Sequence, residues 1–340
     1  MLLFVNYHYI RETRESKYPG IHGITPTQFR AQLETIGHRC DFLKAEELMR
    51  LVEGGGAAAG DLCMVTFDDG LREQYELALP ILDSMGIEAL FNVNGDCIES
   101  RAVSVVHKIH WLKSLMPPEA FARSVSEAME REGVAAPVTL EEFKPVDGQN
   151  IYDSHEVKYV KYLLNHILTQ EQQARVVDGM YRARGEDEAA HSAALYLSEE
   201  MVARLGHRGM IGSHGYSHNP KNSLSEAELM KDFKDNQRFI RRVSGRGAFF
   251  VSYPYGGRTA VSAAVAACAM REGHTVGVTM ERAVNLGTAE PLLLGRLDAN
   301  DAPGGKLPLL RSSGDSWELI SPATWGRKWF FDEERIEAKP

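Results

Sequence analysis

Two short stretches of this chain carry side chains that could do chemistry together. The first is Thr66-Phe67-Asp68-Asp69-Gly70, where two adjacent carboxylates and a glycine close the apolar run Leu62-Cys63-Met64-Val65. The second is Ser213-His214-Gly215-Tyr216-Ser217-His218-Asn219-Pro220. A carboxylate and two imidazoles contributed by separate loops make a three-ligand site for a divalent metal. Each stretch alone has a plainer reading. An apolar run ending in Asp-Gly is a strand and a turn, and a lone histidine is more often structural than a ligand. The two stretches together are what point to a metal.

His214 and His218 are four residues apart, a spacing that would put both on one face of a helix. A zinc-protease helix fails locally. No glutamate follows His214, Gly212 and Gly215 flank it, and Pro220 comes soon after. The segment reads as a loop after a strand, from which both imidazoles can still reach one ion.

These groups need a scaffold that gathers strand ends. Leu62–Phe67 reads as a buried strand, residues 71–85 as a helix ended by Gly86, and Glu88–Val93 as a second strand followed by Asn94 and Asp96. Strand, helix, strand at this spacing is a βαβ unit and implies a parallel sheet. Met1–Ile10 reads as the first strand. Thr25 caps the next helix, with Pro26 at its first turn and Gln28 completing a capping box, and Gly37 ends it. A short helix over 45–53 leads to a glycine-rich loop, Gly54–Gly60. That loop lacks the Lys and Ser/Thr of a phosphate loop and reads as a flexible connection.

Residues 100–195 break the rhythm. Their pattern is helical over Val105–Leu115, Pro118–Glu132, His155–Leu168 and Glu171–Arg184, with a stripe of Val157, Val160, Leu163, Leu164 and Ile167. This reads as an insertion packed over the barrel. It either shapes a pocket or covers an outer face or an oligomer contact. The α/β rhythm resumes with a helix capped by Ser198 and with Met210-Ile211-Gly212 entering the histidine loop. A long helix runs from Ser225 to Val243, a strand covers Ala248–Ser252 and a helix covers Thr259–Arg271. His274–Met280 and Leu292–Leu297 are the last strands. Successive apolar runs end in His8, Asp68 and Asp69, Asn94, His214, Tyr255 and Asp298. In a parallel barrel these ends share one rim. The expected organisation is a barrel over 1–310, interrupted by the 100–195 insertion. A tail over 311–340 docks its Trp317, Trp325, Trp329, Phe330 and Phe331 on the body.

The bulk properties agree with one such enzyme-sized domain. The chain has 340 residues, 44% apolar and 25% charged, with a formal net charge of −9 and a pI near 5.8. No basic block stands out, which argues against a nucleic-acid partner. The four cysteines are widely spaced with no CxxC pair, and Cys63 and Cys268 lie in apolar segments. That favours reduced core residues and a reducing compartment. No 18-residue apolar run is present. The N-terminus has no basic region and no cleavage site of a signal peptide, so the expected location is cytoplasmic.

Thr66–Gly70, then Ser213–His218, then Tyr253-Pro254-Tyr255-Gly256, taken in this order, resemble the polysaccharide deacetylase family. The resemblance covers roughly 1–100 and 195–300. It implies a distorted (β/α) barrel of seven or eight units that removes N-acetyl or N-formyl groups from amino sugars. It also implies one divalent metal ion, zinc first, with cobalt, nickel, manganese or iron(II) as alternatives. Asp68 would be the general base, and Asp69, His214 and His218 the metal ligands. Pro254 and Tyr255 would line the pocket, the Tyr255 backbone N–H helping to hold the oxyanion. The arginine usual two residues before the proline is Ser252 here, and no histidine follows the last leucine-rich strand, Leu292–Asp298. The branch acting on poly-N-acetylglucosamine is permuted and carries its histidine on the first strand, an arrangement that Val5-Asn6-Tyr7-His8 resembles. His8 is then the acid candidate. Arg296 or Asp298 orients the base or binds substrate, and Asn94 is a further substrate-binding candidate. His274 precedes its strand and is expected at the opposite end of the barrel.

The expected substrate is an N-acylated amino sugar, soluble or carrier-linked, and a homo-oligomer is an open option. A non-sugar amide on the same fold and a catalytically silent carbohydrate-binding protein are the alternatives. Retention of both Asp68 and Asp69 argues against the silent one.

Overall fold

The computed structural model describes residues 1–12, 21–55, 59–145, 153–314 and 316–326. Its contacts divide the chain into two compact units. One comprises Met1–Glu12, Gly23–Ala102 and the chain from Ser192 on; the other is chiefly Val103–His191.

The first unit is a distorted (β/α) barrel. Its strands are β1 (Leu2–Tyr7), β2 (Asp41–Phe42), β3 (Leu62–Phe67), β4 (Ala89–Val93), β5 (Ile211–Ser213), β6 (Phe250–Ser252), β7 (Val276–Val278), β8 (Ala283–Val284) and β9 (Leu297–Asp298). The sheet runs β7-β6-β5-β4-β3-β1-β9, all pairs parallel, with β2 set on β3. A bridge between Val278 and Leu294 ties β7 to the segment entering β9 and curls the sheet round.

Period-two alternation sorts each strand into an inner and an outer row. Phe4, Met64, Leu90, Phe250, Val276, Val278 and Leu294 form one apolar cluster. Leu3, Val5, Tyr7, Cys63, Val65, Phe67, Phe91 and Val93 join Phe29, Leu33 and Leu82 of the helices in another. With both faces buried, the strands read as continuous apolar runs. Two residues beyond Phe4, Met64 and Leu90, the first row turns polar at Asn6, Thr66 and Asn92, all fully buried. The register pairs Asn6 with Thr66 and Asn92 with Gly212. The next residues along that row are His8, Asp68 and His214.

The helices of this unit follow the sequence closely. Helix α1 (Pro26–Gly37) has the Thr25–Gln28 capping box, and α2 spans Ala45–Glu53. The stretch expected as one helix over 71–85 is helical without a break over 72–85, with a π turn, Gln74–Ala78, running directly into α3 (Leu79–Met85). Pro80 lacks the N–H of a regular helical turn, and the π turn lies just before it. Helix α4 (Gly95–Glu99) follows β4.

The second unit holds α5 (Val105–Ser114), α6 (Pro118–Arg131), α7 (His155–Tyr162) with a π turn over Leu163–Ile167, and α8 (Gln170–Arg182). It has its own core of Trp111, Phe121, Val125, Met129, Tyr159, Leu163 and Tyr181, among others. Of the expected stripe, Val157, Val160, Leu163 and Leu164 are buried and Ile167 is partly so. Lys108 is buried and paired at 2.7 Å with both Asp178 and Glu188.

After α9 (Glu188–Leu195) come α10 (Glu199–His207), α11 (Glu226–Ser244) and α12 (Ala263–Arg271). The last starts four residues later than expected: residues 258–260 form a turn, and Ser262 caps the helix, accepting from Val265 N. The last strands are shorter than the apolar runs that announce them. In the tail, β10 (Leu310–Ser313) and β11 (Ser316–Leu319) form an antiparallel pair, and β12 (Thr324–Trp325) pairs with β8. Trp317 Nε1 donates to Asp61 at 2.7 Å, while Trp325 is exposed. Trp329, Phe330 and Phe331 lie outside the described residues. All four cysteines are free and buried. No helix among the described residues is long and apolar enough to cross a membrane.

Candidate active site

The end of β3 is turned sharply to present its carboxylates. Asp68 N donates to Tyr7 O at 3.1 Å, extending the ladder with β1 by one residue. Asp69 then adopts φ +75° and Gly70 φ +60°. Left-handed backbone is costly for a residue with a Cβ, though less so for aspartate, and such conformations gather at functional sites. A Cβ at Gly70 would also press on Val93 Cγ1 at 3.1 Å. Gln74, fully buried, ties the two strand ends together. Its Nε2 donates to His8 O at 3.0 Å and to Asp68 O at 2.7 Å.

The histidine loop is held as firmly. His214 N donates to Val93 O at 3.0 Å, and Asn94 Nδ2 donates to the carbonyls of His214 and Gly215 at 2.7 and 3.1 Å. Asn236 of α11 donates to Ser213 Oγ at 2.7 Å and to Val93 O at 3.0 Å. Asp232, one turn earlier, accepts from Ser217 N at 2.8 Å, Ser217 Oγ at 2.6 Å and Tyr216 N at 3.2 Å. Lys221 is fully buried and donates to Asp232 at 2.5 Å and to Ser217 O at 2.8 Å. Burial lowers its pKa and Asp232 opposes that. Gly215, at φ +73°, leaves the room for this pair. A Cβ there would lie 2.3 Å from Lys221 Nζ and 2.7 Å from Asp232 Oδ2.

These two loops bring Asp69, His214 and His218 together, with one ligand atom of each within 4.8 Å of the others. Asp69 Oδ1 is 3.1 Å from His218 Nε2 and 3.4 Å from His214 Nε2. His214 Nδ1 is 2.7 Å from Ser252 O. A backbone carbonyl only accepts, so Nδ1 carries the proton. A neutral His214 therefore turns a lone pair on Nε2 toward the carboxylate oxygen. Two acceptors facing each other in a buried site fit a cation between them. A histidine oriented through its other nitrogen is the usual support of a metal ligand. The residues present fit a divalent ion held by one oxygen and two nitrogens.

Asp68 is 2% exposed and firmly paired. Arg296, itself fully buried, donates Nη1 to Oδ1 at 3.0 Å and Nη2 to Oδ2 at 2.7 Å. Asn92 Nδ2 donates to Oδ1 at 3.0 Å. Burial alone would raise the Asp68 pKa. The charge of Arg296 and its hydrogen bonds outweigh it, holding the carboxyl well below the usual carboxylate range. Arg296, expected to orient the base or to bind substrate, holds both oxygens of Asp68. It supplies a guanidinium from the residue immediately before β9.

His8 follows Tyr7, which pairs with Phe67, so His8 and Asp68 end adjacent parallel strands, with backbones about 5 Å apart. Tyr255, at φ +61°, is 47% exposed and sets its ring edge-on to His218 with centroids 5.1 Å apart. Beyond Tyr255 lies a groove of about 500 Å³ lined also by Met280, Glu281, Arg282, Asp298 and Asp301. Asp298 Oδ1 accepts from the N and Nδ2 of Asn300 at 2.9 and 2.8 Å, so it borders the groove without touching Asp68. Asn94, expected to bind substrate, is instead buried and braces the histidine loop. Pro254 is buried between Tyr253 and Tyr255. His274 is buried among Phe233, Gln237 and Ala248, away from these groups.

Sequence reasoning missed Gln74, Asn92, Lys221, Asp232 and Asn236. For Asn92 a signal exists: a polar residue inside the otherwise apolar strand Ala89–Val93, where an unpaired amide would be costly.

A polysaccharide deacetylase family model matches residues 150–273, a stretch that includes the histidine loop and Tyr253–Gly256. It meets the resemblance carried by those motifs; Asp68 and Asp69 lie outside it. No curated protein matches the chain. Among solved structures, IcaB from Ammonifex degensii is 15% identical with a TM-score of 0.51, over 87% of this chain and 90% of that one. Deacetylase PplD of Streptococcus pyogenes, in complex with acetate, is 16% identical with a TM-score of 0.47, over 87% and 91%. A de-N-acetylase from Aggregatibacter actinomycetemcomitans is 12% identical with a TM-score of 0.48, over 87% and 94%.

Proposed function

With a polysaccharide deacetylase domain matched over residues 150–273 as the premise, we propose that this protein is a metal-dependent hydrolase that removes an N-acyl group, acetyl or formyl, from an amino sugar. The observation that carries the reading is the buried meeting of Asp69 Oδ1 with the Nε2 atoms of His214 and His218, beside an Asp68 kept ionised by Arg296.

Asp69, His214 and His218 are the proposed ligands, zinc being the first choice of ion. When bound, a divalent ion there supplies Lewis acidity, lowering the pKa of water and polarising a carbonyl. The protein's own groups do the rest. Asp68 accepts the proton of the attacking water as that oxygen bonds to the acyl carbon. The Tyr255 backbone N–H is the proposed donor to the developing oxyanion. The amine is a poor leaving group, so the breaking C–N bond needs a proton on nitrogen, and His8, just past the end of β1, is the proposed donor. Acetate or formate and a free amine are the products. The groove beyond Tyr255 is the proposed seat of the remaining sugar.

The test is a screen for acetate and formate release from N-acyl sugars, nucleotide sugars and oligomers, before and after chelation and metal re-addition. Release that is lost on chelation and restored by metal is expected. Metal-independent release, or none from any N-acyl sugar, would overturn the reading.

A further inference from the structure

Asp68 has two oxygens and four in-plane lone-pair sites. The Arg296 fork, Nη1 to Oδ1 and Nη2 to Oδ2, takes the two that face the guanidinium. Asn92 Nδ2 takes the outer site of Oδ1 at 3.0 Å. One site is left, on Oδ2, pointing away from the guanidinium. We propose that Asn92 is the positioning residue that makes Oδ2 of Asp68 the atom that receives the proton. The proposal rests on Asp68 being the base.

A packing role does not account for this side chain. Asn92 is fully buried in β4, between Phe91 and Val93, where leucine or valine would pack without a polar cost. Its Oδ1 has no hydrogen-bond partner among the described residues, which is unfavourable for a buried carbonyl. What the amide gains is the bond from Nδ2 to Asp68. The opposite orientation would set Oδ1 against the carboxylate, so only one end of the amide can face it. The neighbouring strand is cut away to admit the group. Asn92 pairs with Gly212, and a Cβ on Gly212 would lie 2.0 Å from Asn92 Oδ1. Gly212 has no left-handed backbone to explain it. The glycine and the asparagine thus form one device, two residues before the metal ligand His214.

The roles separate in metal-loaded, full-length protein assayed on an aryl acetate, which needs base and metal but no sugar recognition. Asn92→Leu keeps the volume and removes the donor. The expected result is a fall in kcat of about 10- to 100-fold, with KM and bound metal per chain unchanged. Wild-type kcat in this variant, or loss of metal together with rate, overturns the proposal. Gly212→Ala should lower kcat in the wild type and change nothing further in an Asn92→Ala background; equal effects in both also overturn it. A readout independent of activity is the unfolding cycle of Asp68→Ala and Asn92→Ala in metal-free protein. Coupling between the two is expected, and its absence removes the hydrogen bond and the role with it, even for a protein silent on both substrates. Activity on the aryl acetate without activity on any N-acyl sugar would sink the substrate reading alone.

Discussion

Arg296 grips Asp68 with both terminal nitrogens, at 3.0 and 2.7 Å, and neither residue is open to solvent. Arg296→Leu leaves a buried carboxylate without its counter-charge. Breaking one side of such a pair typically costs about 3–5 kcal/mol. We predict a loss of that order in urea unfolding, with activity lost as well. Arg296→Lys should recover part of the stability and little of the rate, because an ammonium cannot reproduce the planar fork. Unchanged stability in Arg296→Leu would contradict the pairing.

Gly215→Ala should act on metal binding from a position that touches no ion. A methyl group there meets Lys221 Nζ at 2.3 Å, on backbone at φ +73°. The Lys221–Asp232 pair must give way, and with it the backbone of Tyr216 and Ser217 that sets His218. Affinity for zinc, measured by competition with a chelating dye, should fall about 10- to 100-fold. Wild-type affinity in this variant would show that the clamp does not position the ligand.

The barrel also contains a titrating group far from any proposed chemistry. Burial lowers the His274 pKa to about 3; a hydrogen bond at Ala248 opposes this and Arg241 adds to it. The folded protein keeps this imidazole neutral, while the unfolded chain takes up a proton below about pH 6.5. The stability tied to neutral His274 is therefore present above about pH 6.5 and is lost as pH falls toward 3. The slope for one proton is about 1.4 kcal/mol per pH unit. Chemical unfolding of metal-free His274→Phe, compared with metal-free wild type, should show that slope removed. Parallel pH curves would refute it.

Much of this site is legible in the sequence because parallel strands end at one rim, so residues just past apolar runs belong together. That logic places His8 beside Asp68, and Asp69 with His214 and His218. It misleads at Asn94, which also follows a strand but turns its amide onto the carbonyls of His214 and Gly215. It leaves Arg296 with two roles, since no local pattern says that a side chain beside β9 will reach past β1 to Asp68. The supporting residues Asp232 and Asn236 read as ordinary polar positions of a long helix. Only the packing of α11 against the histidine loop turns them inward. Helix ends follow the caps faithfully at Thr25 and Ser225. The start of α12 differs because residues 258–260 form a turn, and the helix begins only after Ser262 caps it.

The assignment of His8 as acid separates by leaving group. His8→Ala should slow hydrolysis of an N-acetyl amine by about 10²-fold or more and spare an activated aryl acetate, whose leaving group needs no proton. Equal losses on the two substrates, with bound metal intact, would make His8 a structural residue of the barrel mouth.

The most direct test of the central claim is paired metal analysis and acetate release in Asp68→Asn. The substitution keeps shape, and Asp69, His214 and His218 are untouched. One metal ion per chain should remain while acetate release from an N-acetyl amino sugar falls by about 10²–10⁴. Loss of the metal along with the activity, or wild-type release with the metal in place, would contradict the division of labour between Asp68 and Asp69.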